Sequence, residues 1–121
     1  MPFAAQVPRR FVRSSWGGTE TVVLETAIRL PRFDYATEII CPDALATSRN
    51  ETIEGVTVRR FRYFYPYLFL GRDARAQLDK KGGNLFSFSL MRYLQHRPDL
   101  DLIHVHTGKR LGGICRTVAR R

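Results

Sequence analysis

The stretch LDLIHVHTGKR, residues 100–110, decides the fold. Leu100, Leu102, Ile103 and Val105 make the cleanest parallel-strand signal in the chain. The loop His106-Thr107-Gly108-Lys109-Arg110 follows, and helical spacing returns from Leu111 to Arg120. A parallel strand needs parallel neighbours, so the upstream chain must supply strands separated by long crossovers.

It does so in order. Phe3 to Val7 reads as a short strand, and Pro8 with Arg9-Arg10 opens a loop that runs to Gly18. From Thr19 to Leu30 apolar residues recur at Val23, Ala27 and Leu30, with Glu20 and Glu25 toward the N-terminus and Arg29 toward the C-terminus, which predicts a helix stopped by Pro31. Ala36 to Cys41 (ATEIIC) predicts a second strand closed by Pro42-Asp43. A polar loop from Asp43 to Glu54 and a turn at Gly55 lead into a third, Val56 to Phe61 (VTVRRF). The aromatic block Tyr63 to Leu70 (YFYPYLFL) contains Pro66, which argues against a regular element. Arg72 to Lys81 predicts a short polar helix, and Leu85 to Gln95 (LFSFSLMRYLQ) an apolar one ended by Arg97-Pro98. The expected fold is α/β, a mainly parallel sheet with flanking helices and ligands at the carboxyl ends of its strands. Four strands are one or two fewer than a doubly wound sheet usually has, so residues 1–121 read as one partial domain of a longer protein.

Composition narrows the function. The 121 residues are 44% hydrophobic and 26% charged, with a net charge of +9. That balance suits a globular chain with anionic partners such as nucleotides, phosphates or acidic lipid. Two distant cysteines, Cys41 and Cys115, point to reduced core thiols and a cytoplasmic setting. No apolar run is long enough for a signal peptide or a membrane span, so membrane contact is expected to be peripheral at most.

The segment SSWGGTETVV, residues 14–23, carries the first candidate site. Gly17 and Gly18, with Thr19, stand between a strand and a helix, where free N–H groups and the positive dipole end suit a phosphate. A tight turn needing positive φ is the competing reason for two glycines. Neither GxGxxG nor a P-loop is present, which weighs against classical dinucleotide binding and ATPases. Trp16 is expected to pack on the first helical turn rather than stack on a ligand. His104 and His106, two apart at a strand end, should share one side of the sheet, with Lys109 and Arg110 following as anion-holding cations. No metal or other cofactor is expected: Cys115 is the only obvious third ligand and lies on another element. The histidines instead hydrogen-bond a polar ligand or brace the loop. The aromatic block and the helix after it suit the core better than a lipid surface, and no nucleic-acid-binding motif is present.

The order of a GGTE loop opening a helix (Gly17 to Glu20), an IEGVTVRRF segment (Ile53 to Phe61) and a DLIHVHT strand end (Asp101 to Thr107) resembles the N-terminal domain of family 4 glycosyltransferases. The resemblance covers most of the chain and implies a Rossmann-like domain of a GT-B fold. It implies a retaining, usually metal-free transfer of a sugar from a nucleotide-sugar to a sugar or lipid-linked acceptor. Gly17, Gly18 and Thr19 would then meet the donor diphosphate, and His104, His106, Thr107, Lys109 and Arg110 would line the acceptor side. The family's catalytic-loop histidine follows a later strand, and its paired glutamates lie in a C-terminal donor domain. No catalytic residue is therefore assigned within residues 1–121, and the fragment alone is expected to transfer little sugar. The alternative is a noncatalytic anion- or nucleotide-binding α/β module.

Overall fold

A computed structural model describes residues 2–8, 11–12, 16–43, 48–63, 87–106 and 109–119, with backbone only at 109 and 110. The expected aromatic block beyond Tyr63, the helix over 72–81 and the start of the helix at 85–86 lie outside the described residues.

Strand β1 (Phe3–Val7) leads to helix α1 (Gly18–Arg29), and β2 (Ala36–Pro42) follows. A hairpin of β3 (Asn50–Ile53) and β4 (Val56–Phe61) comes next, then α2 (Phe88–Gln95), β5 (Leu100–Val105) and α3 (Lys109–Ala119). The sheet order is β3-β4-β2-β1-β5. β1 pairs in parallel with β2 and β5, β2 pairs in parallel with β4, and only β3 runs antiparallel. The fold is α/β, with a mixed, mostly parallel five-stranded sheet and three α-helices among the described residues.

Two expectations needed correction. β3, NETI, lies in what reads as a polar loop, because Ile53 is its only buried residue and a mostly exposed edge strand carries no apolar alternation. Its pairing is imposed by the turn Glu54-Gly55, where both residues have positive φ (49° and 82°), as a two-residue type I′ hairpin requires. Helix α3 starts at Lys109 rather than Leu111, so Lys109 and Arg110 belong to its first turn and not to a loop. Leu111, Ile114, Cys115 and Val118 mark where burial begins, and a helix can start ahead of its apolar stripe.

Pro31 acts as expected, but by tightening rather than cutting the chain. It cannot donate to the helix ladder, so α1 ends at Arg29 and passes into a 3₁₀ turn, Leu30–Phe33, capped by Asp34 in the left-handed region (φ 66°). Helix α2 begins at Phe88 rather than at the expected Leu85, because Ser87 is extended and serves as its N-cap: its Oγ accepts the Leu90 N–H at 3.3 Å and donates to the Arg62 carbonyl, so this cap also pins the chain leaving β4.

Strand alternation separates two cores. Phe3, Ala5, Val7 and Ile40 pack with Leu90 and Leu94 of α2 and with Leu111, Ile114, Cys115 and Val118 of α3. On the other face Ile39, Cys41, Ile53, Val56 and Val58 pack with Phe11 and with Val23, Leu24 and Ala27 of α1. Each fully buried side chain of this size contributes about 1.5–3 kcal/mol relative to exposure. Leu90 and Leu94, four residues apart, dock α2 with Met91 and Tyr93 packed beside them, as the expected core role of this helix requires. From β1 the chain builds outward to β2 and β4, whereas β5 lies on the opposite side of β1. The progression of strands therefore reverses between β1 and β5, the position where open α/β sheets leave a crevice at their carboxyl edge.

Candidate functional site

At the start of α1, Gly17 is the N-cap in an ordinary extended conformation (φ −150°, ψ −165°). Gly55 is the only positive-φ glycine among the described residues, so backbone strain does not explain either Gly17 or Gly18. Packing does not explain them either. Among the described residues a Cβ on Gly18 would meet nothing within 4 Å, and one on Gly17 would make ordinary contact with Glu20 Oε2 at 3.5 Å. Both positions are thus open to an approaching group.

The helix start already has one anion of its own. The Gly17 N–H donates to Glu20 Oε2 at 3.0 Å, and Glu20 is only 6% exposed. This is the reach-back half of a capping box. The N–H groups of Gly18 and Thr19 lie in the first turn, where the helix offers no carbonyl partner. Trp16 lies back on the turn as expected: its Nε1 donates to Thr21 Oγ1 at 3.0 Å, and its ring meets Phe11 edge-on at 4.9 Å. Thr21 Oγ1 in turn donates to the Gly17 carbonyl at 3.2 Å, which ties the loop to the helix.

Arg60 is a positioning residue that the sequence reading passed over. Its guanidinium is buried, 3% exposed, and donates through Nε to the Phe11 carbonyl at 3.1 Å and through Nη1 to the Ser48 carbonyl at 3.1 Å. Nη2 also reaches Phe11 O and pairs with Glu51. One side chain of β4 therefore holds the loop after β1 and the segment before β3. The signal was present in VTVRRF: Arg60 shares the inward phase with Val56 and Val58, while Arg59 points the other way to Glu38 at 3.0 Å. Cys41 is buried beside Arg60, and burial pushes its thiol up to about 12 even though the nearby guanidinium works against it.

The histidines come together as their spacing predicts. The rings of His104 and His106 are 4.0 Å apart between centroids and tilted by 39°. The His106 N–H donates to the Val7 carbonyl at 3.0 Å, extending the β1–β5 ladder, and its Nε2 lies 2.8 Å from Oε1 of Gln6, which is 1% exposed. Burial, and then the charge of His104, lower the pKa of His106 to about 4, so it is neutral at pH 7. His106 is thereby a braced histidine, and His104 is the exposed member of the pair. Gln6 is a partner that sequence reasoning missed, since a lone glutamine in a short apolar strand carries no motif.

Thr107 lies outside the described residues, as do the side chains of Lys109 and Arg110. Among the described residues no three His, Cys, Asp or Glu side chains gather as a metal site. Cys115, on α3, is buried in the core with α2, on the opposite face of the sheet from Gln6 and His106, and so cannot complete one with the histidines. A separate cleft of about 380 Å³ runs along α1 beside the hairpin, lined by Trp16, Thr21, Leu24, Glu25, Ile53 and Glu54. Its two carboxylates give it the wrong charge for a phosphate. No helix among the described residues is long and apolar enough to cross a membrane.

The chain topology sets Gly17, Gly18 and Thr19 after β1 and His104 and His106 at the end of β5, so both groups belong to the carboxyl edge of adjacent strands. Comparison of the chain with family models, with curated proteins and with solved structures finds no match.

Proposed function

We propose that this chain is the acceptor-side portion of a GT-B glycosyltransferase, a Rossmann-like domain that works with a separate donor-binding domain. One observation carries the reading: two groups of residues about ninety positions apart in sequence converge on the carboxyl edge where the strand progression reverses, between β1 and β5. In this reading the Gly18 and Thr19 N–H groups and the positive end of α1 receive the donor diphosphate and stabilise its charge as the glycosidic bond breaks. The Gly17 N–H is already satisfied by Glu20, so Gly17 contributes open space rather than a donor. His106, held neutral by burial, presents a fixed imidazole edge to the acceptor beside His104, and the reading assigns Thr107, Lys109 and Arg110 to the same acceptor side. The second reading is a noncatalytic anion-binding module, favoured by the net charge of +9, which needs no second domain.

Titration of ¹⁵N-labelled protein with pyrophosphate and with uridine or guanosine diphosphate tests the site. Shifts concentrated at residues 17–20 are expected, and shifts spread over surface arginines alone would remove the phosphate role. Addition of a donor-binding domain with labelled nucleotide-sugar then separates the two readings: transfer supports the enzyme, and diphosphate binding without transfer supports the module.

A further inference from the structure

We infer that His104 and His106 form a two-imidazole chelate for a divalent ion of the copper(II) or nickel(II) kind, with Gln6 orienting one of the ligands. This site is independent of glycosyl transfer and stands whether or not that reading holds. The two rings lie on one side of β5 with centroids 4.0 Å apart. With metal–nitrogen bonds of about 2.0–2.1 Å, a metal sits about 3.2 Å from each ring centroid; ligands at 90° then need centroids about 4.5 Å apart, and tetrahedral ligands about 5.2 Å. The pair is therefore about 0.5 Å short of the square-planar arrangement and about 1.2 Å short of the tetrahedral one. The square-planar spacing is the nearer of the two, and the exposed His104 ring is the one with room to adjust toward it. The geometry thus selects ions that favour tetragonal nitrogen ligation over zinc.

Gln6 supplies the second observation. Its Oε1 can only accept, so His106 Nε2, 2.8 Å away, carries the proton and the lone pair available to a metal is on Nδ1. A buried amide that fixes the tautomer and ring orientation in this way is the arrangement that metal-binding histidines generally have behind them. The exposure of His104 leaves the remaining coordination positions to water.

Copper(II) titrated into the 121-residue protein, followed by visible absorption, electron paramagnetic resonance and calorimetry, tests the site. One equivalent is expected to bind with two nitrogen ligands resolved in the spectrum. His104→Ala, a change at an exposed side chain that should leave the fold intact, is expected to weaken binding at least tenfold. Gln6→Leu, checked for native circular dichroism, should weaken it about tenfold. His96→Ala, at the far end of α2, should leave it unchanged. Wild-type protein that binds copper(II) no more tightly than His104→Ala, or a site abolished by His96→Ala, would overturn the inference.

Discussion

Replacing Arg60 by Met keeps much of the side chain's apolar length and removes its donors. The Phe11 and Ser48 carbonyls lose their guanidinium partners, and Glu51, partly exposed, turns to water instead. Each buried acceptor left without a partner costs about 1–3 kcal/mol. Relief from burying a guanidinium offsets part of this, so a net loss of about 3 kcal/mol is expected. With a urea dependence of about 2 kcal/mol per molar, the unfolding midpoint falls by about 1.5 M. Arg29→Met is the comparison, because the Arg29–Glu25 pair is exposed on both sides and worth less than about 0.5 kcal/mol. Arg60→Lys, which keeps the charge but loses the planar fork, should fall between the two. Trp16, the only tryptophan, packs on Phe11, so its emission also reports whether the loop has come loose before unfolding. Urea curves in which Arg60→Met and Arg29→Met agree within about 0.5 kcal/mol would show that Arg60 does not hold the loop.

Three further outcomes are expected. In Gly18→Val the new Cβ meets no atom of the described structure within 4 Å and the backbone needs no positive φ, so stability should change by less than about 1 kcal/mol while pyrophosphate affinity drops at least tenfold; unchanged affinity would remove the phosphate role. Burial raises the thiols of Cys41 and Cys115, to about 12 and about 11, so neither should react with a disulfide reagent at pH 8 until the protein unfolds, and prompt labelling of native protein would contradict their burial. Because the folded pKa of His106 is depressed from 6.5 to about 4, its neutral form contributes stability that is complete above pH 6.5 and lost as pH falls toward 4. An NMR titration should show a His106 transition near 4, and a midpoint at 6 or above would mean that its ring is not buried as described.

Much of the fold was legible because its strands announce themselves locally. Phe3–Val7, Val56–Phe61 and Leu100–Val105 have the expected bounds, and Ala36–Pro42 runs one residue further. In β1, β2 and β4 that apolar content reflects burial on one or both faces, whereas β5 has no fully buried residue and leaves Leu102 exposed, so its apolar run records strand propensity more than burial. Helix α1 was equally plain, since its stripe, its acidic start and Pro31 all agree. The candidate site was legible in part: the proximity of His104 and His106 follows from the two-residue period of a strand.

What the tertiary structure alone decided has a common cause, dependence on a partner distant in sequence. β3 exists because β4 lies beside it, and Gln6 matters because β5 brings His106 to it across a hundred residues. Arg60 becomes an anchor only when the Phe11 and Ser48 carbonyls converge on its buried head. The strand order that puts β5 against β1, and so creates the reversal at the candidate site, is likewise settled by which faces α1, α2 and α3 cover. Local composition determined what each segment could become; long-range packing and the pairing of buried polar groups determined where the segments meet.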